Sequence, residues 1–188
     1  MRQDGRDARH ALRDALFELS GTVSFDKVTV RQISEQAGVS VRTFYNHFID
    51  KYDLLGWSYE ASVEQGFAQV FRPEASLYDF MLWCVRSMDA KGVFSSNALR
   101  NTHGRDSFRV HIYRCNFAVY QRYFEERLER RLSEEESFQL DLYLRGTVDK
   151  MIDWLYLPEA KRCSSEHLAR LIADSAPVLV RELCESAR

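Results

Sequence analysis

The segment TVRQISEQAGVSVRTFYNHF, residues 29–48, gathers the side chains with the most chemistry to offer. If Ser40 starts a short helix, its outward face carries Val41, Arg42, Thr43, Tyr45, Asn46 and His47. These are hydrogen-bonding and apolar groups of the kind that read base edges and grip phosphates. A helix that only meets water would carry Glu and Lys there instead.

Such a face is useful only if it is held rigidly, and the flanking residues supply the means. Thr29 can cap a helix running to about Gln36, with Val30, Ile33 and Ala37 inward. Gly38-Val39 turns the chain, and Gly38 can take positive φ without a steric cost. Ser40 can cap Val41–His47, with Phe44 and Phe48 inward. Ser34 is small where the two helices should cross. A short helix, a glycine turn and a second short helix suit the steep crossing of a helix-turn-helix. Geometry alone would equally allow a plain corner in a helical core; the outward chemistry decides between them.

The same punctuation organises the rest of the chain. A first helix spans about Arg6 to Ser20, with Ala8, Leu12, Ala15, Leu16 and Leu19 as its apolar stripe and Gly21 beyond its end. Asp50 can cap a fourth helix, with Asp53 at its third position; that helix carries Leu54, Leu55, Trp57, Tyr59, Val63, Phe67 and Phe71 and stops before Pro73. Further helices are expected near 75–89, 92–101, 106–131, 134–156 and 165–186, the last broken near Ser175 by Pro177. Strand-like alternation is almost absent, so the reading is all-α, about nine helices, with a three-helix domain over 1–50 and a larger helical domain over 51–188.

The run GVSVRTFYNHFIDKYDLL resembles the recognition helix and following segment of tetracycline-repressor (TetR) family regulators. It shows the Gly38-Val39-Ser40 turn, the pair Phe44-Tyr45, then His47-Phe48, Lys51 and Leu54-Leu55. The resemblance covers about the first quarter of the chain. It implies an all-α homodimer that binds double-stranded DNA at a palindromic operator and holds a small effector in its larger domain. It places Thr29 and Arg31 at phosphates or outer base edges, and Val41, Arg42 and Thr43 at the tip entering the major groove. Tyr45 and His47 fall on the phosphate side, and Lys51 at the backbone beside the amides that open the fourth helix. Arg42 is then the candidate for bidentate guanine readout, worth about 1–3 kcal/mol, while Val41 offers only apolar contact. The pattern Leu144-x-Gly146…Trp154, followed by Ser165-Glu166-x-Leu168, weakly resembles regulators of dihydroxyacetone-kinase operons.

Composition limits the alternatives. The chain has 188 residues, 45% hydrophobic and 29% charged, with 26 basic and 28 acidic residues for a net charge of −2. That is globular usage, not disorder. Residues 1–55 hold eight basic and eight acidic side chains, so no basic field announces nucleic acid. Placement offsets this in part: Arg2, Arg6, Arg9 and Arg13 fall on one helical stripe that could track phosphates, or simply face water beside Asp7, Asp14 and Glu18. The longest stretch without charge is eight residues, Gly92–Leu99, far short of a membrane span. No apolar segment follows the N-terminal arginines, so the expected location is the cytoplasm. Cys84, Cys115, Cys163 and Cys184 lack zinc or redox spacing and read as reduced, packed thiols. No metal or cofactor is expected; His103, His111 and His167 read as isolated histidines.

In the larger half, Phe108, Tyr113, Phe117, Tyr120, Tyr123 and Phe124 crowd one helix, with Tyr78, Phe80 and Trp83 on another. Such groups line small-molecule cavities or simply fill a core. Trp83, Phe108, His111, Asn116, Phe117 and Tyr120 are the candidate effector residues, with Asn97 and Gln121 as further polar neighbours. Helix 134–156 carries Leu140, Leu144 and Val148 on one stripe. The last helix carries Leu168, Leu171, Ile172 and Leu179. A helix apolar on most sides must be covered on most sides, so these residues are expected to meet a second copy in a four-helix interface. The charge run at 125–136 reads as a solvated helix end with pairs such as Glu126–Arg130.

These features point to a homodimeric repressor released by a small molecule. Two alternatives stand beside it: an all-α enzyme, although no GxSxG, phosphate loop or HExxH is present, and a regulator or activator that answers to a partner protein rather than to a ligand.

Overall fold

The computed structural model describes residues 2–70, 76–104 and 107–185, with side chains from Ala8 on except those of 67–70, 93, 183 and 185. The described residues form ten α-helices and no strand: α1 Arg2–Ser20, α2 Val30–Gln36, α3 Val41–Tyr45, α4 Lys51–Val70, α5 Leu77–Ala90, α6 Gly92–Arg100, α7 Phe108–Leu128, α8 Glu134–Tyr156, α9 Ser165–Asp174 and α10 Val178–Glu185. Pro177 divides the last expected helix into α9 and α10, because a ring at that position cannot donate to the ladder. Two short 3₁₀ turns, Phe25–Lys27 and Glu159–Lys161, have no periodic signal and were not expected. All four cysteines are thiols. No helix among the described residues is long and apolar enough to cross a membrane.

Contacts divide the chain into two compact units: residues 1–61 with 93–111, and residues 62–92 with 112–188. The first unit therefore reaches beyond residue 50 and takes in α6. Its core is Leu12, Leu16, Phe25, Ile33, Phe44 and Leu54, all with no exposed surface, joined by Val28, Phe48 and Ala98. Phe17 of α1 meets Phe94 of α6 with ring centroids 4.2 Å apart.

In the second unit α5 packs mainly on α9 and also touches α8 and α10. Ion pairs Arg86–Glu166 at 2.6 Å and Arg162–Asp89 at 3.2 Å flank this packing. Arg162 also donates to the Leu155 and Leu157 carbonyls, closing the C-terminal end of α8. Ser133 and Glu136 form a capping box at the start of α8. Arg130 pairs with Glu136 through its two terminal guanidinium nitrogens, not with Glu126, since α7 has already ended at Leu128. The Arg130 hydrogen bonds hold the Glu136 carboxyl down at about 2.

The burial of α8 and α9 bears on the expected dimer contacts. Leu140, Leu144, Val148, Leu168 and Ile172 are buried within a single chain, which leaves them little surface to offer a second copy. Both helices carry more than one apolar stripe, and periodicity does not say which stripe meets the chain's own helices. Leu171 is 51% exposed, and Leu179 is half-buried. Among the described side chains of α8, α9 and α10, the large apolar groups left in water are Phe138 and Leu142 on α8, Leu171 on α9 and Val178 on α10.

Gly66 on α4 lies under the Trp83 ring: a Cβ there would come within 2.0 Å of Trp83 Cη2. Gly66→Ala is expected to destabilise the protein by about 1–3 kcal/mol through overpacking, read as a lower midpoint in denaturant unfolding. An unchanged midpoint would show that the indole moves aside freely.

Candidate nucleic-acid interface

The outward surface of α2 and α3 is built by capping, crossing and turn chemistry acting together. Thr29 forms a capping box with Gln32 at the start of α2: its hydroxyl accepts from the Gln32 amide at 3.2 Å, and its own amide donates to the Gln32 side chain at 2.9 Å. Gly38 sits at φ +68°, the left-handed conformation the turn requires. Ser34 is 1% exposed where α2 approaches its neighbours. Ser40 caps α3 by accepting from the Thr43 amide at 3.0 Å, and its hydroxyl lies 2.8 Å from that of Thr43. Phe44 is fully buried and makes ring contacts with Phe48 and Tyr45. α3 is thus pinned at its N-terminus by Ser40 and on its inner face by Phe44.

The outward side chains are placed as follows. Ser40, Val41, Arg42, Tyr45 and Asn46 are exposed, Tyr45 at 58%; Thr43 and His47 are half-buried. Among the described residues no carboxylate pairs with Arg42, so its guanidinium is available. Thr29 and Arg31 are exposed as well, but Arg31 is paired with Glu35 at 2.8 Å, which holds its charge along α2. Ile49, at 83% exposed, continues the exposed surface past α3, which an isoleucine's type does not announce in sequence.

Lys51 departs from the position that the family resemblance implies. Its ammonium donates to the carbonyls of Phe25, Asp26 and Val28, each at 2.8 Å. An ammonium has three hydrogens, and all three are engaged. Burial lowers its pKa, opposed by the nearby Asp26 and Asp50 charges. The amides opening α4 are also occupied: Tyr52 and Asp53 donate to the Asp50 carboxylate at 2.8 and 2.9 Å. Asp53 in turn accepts from the Ile49 amide, one residue ahead of the cap, rather than from the Asp50 amide that a capping box would use.

The arginine stripe on α1 divides. The Arg9 guanidinium lies over the adjoining rings of Phe48 and Trp57, 5.5 and 5.3 Å from their centroids. Arg13 pairs with Asp14 at 2.8 Å. The side chains of Arg2 and Arg6 lie outside the described residues.

The candidate effector residues fall in both units. In the first, Phe108 is buried edge-on to Tyr59, and His111 stacks over Gly56 with Nε2 3.6 Å from the Glu60 carboxylate. In the second, Tyr120 is buried between Phe80 and Phe124, Trp83 lies beside Phe80, and Asn116 donates to the Ile112 carbonyl one turn back. Phe117 meets Tyr113. An open groove of about 630 Å³ in this unit is lined by Gln121, Arg122, Glu125, Arg131 and their neighbours, and none of the candidate effector residues borders it. Asn97 is bound to the α1–α2 turn instead. No group of three or more His, Cys, Asp or Glu among the described residues could hold a metal.

Residues 12–56 match the family described as bacterial regulatory proteins, tetR family. The amino-terminal helix-turn-helix lies wholly within the stretch that matches this family. Over nearly its whole length the chain has the fold of TetR-type transcriptional regulators. It is similar to a TetR transcriptional regulator from Rhodococcus sp. RHA1, with a TM-score of 0.65 and 18% identity over 92% of this chain and 97% of that one. It is similar to the dihydroxyacetone kinase operon activator DhaS, with a TM-score of 0.59 and 17% identity over 94% and 96%. It is also similar to RolR in complex with resorcinol, with a TM-score of 0.55 and 20% identity over 100% and 96%. No curated protein sequence matches the chain.

Proposed function

We propose that the chain is a homodimeric, sequence-specific transcriptional repressor that acts in the cytoplasm and leaves its operator when a small molecule binds. The observation that carries this reading is the outward face of α3: a capped helix presenting an unpaired Arg42 beside Val41, Thr43, Tyr45 and Asn46. Thr29, Arg31, Ser40 and His47 complete the DNA-facing set, and residues 1–50 carry it. Lys51 supports that surface from behind.

Residues 51–188 supply the dimer contacts and the effector site. Leu171 keeps its expected role, and Phe138, Leu142 and Val178 join it in place of the buried leucines. A Cβ built on Gly146, one turn beyond Leu142, would meet nothing within 4 Å, which leaves room for a second helix to approach. A twofold pair would set two recognition helices about 34–36 Å apart, for a palindromic site. Trp83, Asn116, Phe117 and Tyr120 in the second unit, and Phe108 and His111 in the first, are each of a type that suits contact with a small, largely apolar effector.

Selecting bound duplexes from a random pool tests the reading: enrichment of a palindrome supports it, and recovery of no preferred sequence rejects it. On the selected duplex, Arg42→Ala is expected to weaken binding by about 1–3 kcal/mol and to relax one base position, with helical content unchanged. Unaltered affinity and preference would remove Arg42 from the reading set. DhaS is named an activator; a reporter placed behind the selected palindrome reads the sign of regulation.

A further inference from the structure

The backbone between α1 and α2 is held by side chains from two distant helices. From α6, Asn97 Nδ2 donates to the carbonyls of Ser20 at 2.6 Å and Val23 at 2.7 Å, and its Oδ1 accepts from the Phe25 amide at 2.9 Å. Asn101, one turn on, donates to the same Oδ1 at 2.8 Å. Both hydrogens of the Asn97 amide and both lone pairs of its oxygen are therefore in use. From α4, Lys51 donates to three carbonyls of the same segment, at Phe25, Asp26 and Val28. Segment 20–28 thus lies between α6 and the first turn of α4, and it runs directly into Thr29, the cap of α2.

The turn does not need Asn97 to exist. Val23 and Thr22 donate to Leu19, Lys27 to Ser24 and Val28 to Phe25, all local bonds. What Asn97 adds is a tie to a helix more than 70 residues away, reinforced by the Phe17–Phe94 ring contact. A reading surface must be held to within about 0.5 Å and 10–20° to work, and a turn with only local bonds does not set that orientation.

We propose that Asn97 is a positioning residue for DNA reading: through segment 20–28 it sets the angle at which α2 and α3 meet the duplex. α6 is then a working part of the DNA-reading unit. The inference rests on the DNA-binding reading above and adds to it a residue that touches no DNA.

The test compares full-length protein with Asn97→Leu and Asn97→Asp on two duplexes, the one selected from the random pool and an unrelated one. Leucine keeps the size and removes every bond; aspartate keeps the acceptor for Phe25 and loses the donors to Ser20 and Val23. Affinity for the selected duplex is expected to fall about tenfold or more in both variants, since leucine leaves the three backbone groups unpaired and aspartate sets a carboxylate oxygen against the Ser20 and Val23 carbonyls. Affinity for the unrelated duplex, driven by phosphates, is expected to change less than about twofold. Undiminished binding of the selected duplex, or equal losses on both duplexes, would overturn the proposal. So would failure of both variants to fold, which would make Asn97 a purely structural residue. Wild-type protein that selects no duplex brings down the DNA-binding reading itself, whereas wild-type selection with unaffected variants brings down only this inference.

Discussion

Replacing Leu142 and Val178 together by glutamate is expected to give a folded monomer that no longer holds its operator. Both side chains stand in water, at 62% and 65% exposed, so the charges have no buried cost within the chain. Across a twofold interface each substitution occurs twice, and four carboxylates would be forced into an apolar seam without partners. A dimer gains its operator affinity by presenting two reading heads at once. Losing the second head costs roughly 10²–10⁴-fold by the arithmetic of linked sites. Sedimentation should show half the wild-type mass with unchanged helical circular dichroism, and the selected palindrome should be released. Leu140→Glu serves as the contrast: that side chain has no exposed surface, and the charge should unfold the chain rather than split a pair. A double variant that remains dimeric and binds normally would reject this face.

The contrast between Leu140 and Leu142 marks where sequence reading stops on α8. Periodicity correctly placed the helix at 134–156, because Ser133 and Glu136 form a legible box and Tyr156 lies just before Pro158. It could not assign the stripes. Leu140, Leu144 and Val148 read as one apolar face, and so does the opposite edge that begins with Phe138. Which of them meets the chain's own helices depends on how α5 and α9 pack, and that depends on residues such as Leu168 and Val85 that lie far off in sequence. A helix apolar on several sides announces that it is covered, not by what.

The reading head was more legible because its determinants are local. Thr29, Ser40 and Asp50 cap helices within three residues of themselves, Gly38 takes the φ that its turn demands, and Ser34 is buried as its size suggests. What stayed hidden there was long-range. Asn97 read as a polar neighbour of a cavity, yet its partners are Ser20, Val23 and Phe25. Arg9 read as one charge on a solvated stripe, yet its guanidinium lies over the rings of Phe48 and Trp57. A side chain's type states which bonds it can make, and only the fold states with whom.

Lys51 separates these two kinds of information most sharply, and Lys51→Met is the substitution that measures the difference. Methionine keeps much of the aliphatic stem and removes the ammonium. Three carbonyls then lose their donor, two of them at part-buried bonds, and the ring contacts with Phe25 and Tyr52 lose their cation. Stability is expected to fall by about 2–3 kcal/mol, since bonds to a charged donor exceed neutral ones and the stranded carbonyls are partly shielded from water. If Lys51 instead gripped a phosphate, stability would barely change, but the dependence of binding on salt would. Each phosphate contact adds about 0.9 to the slope of log affinity against log salt. The two roles therefore move different observables. With all three hydrogens already engaged, the slope on the selected duplex should match that of the wild type, while the unfolding midpoint drops. A slope reduced by about 0.9, at an unchanged midpoint, would return Lys51 to the DNA backbone and show that the ammonium leaves its three carbonyls when a duplex arrives.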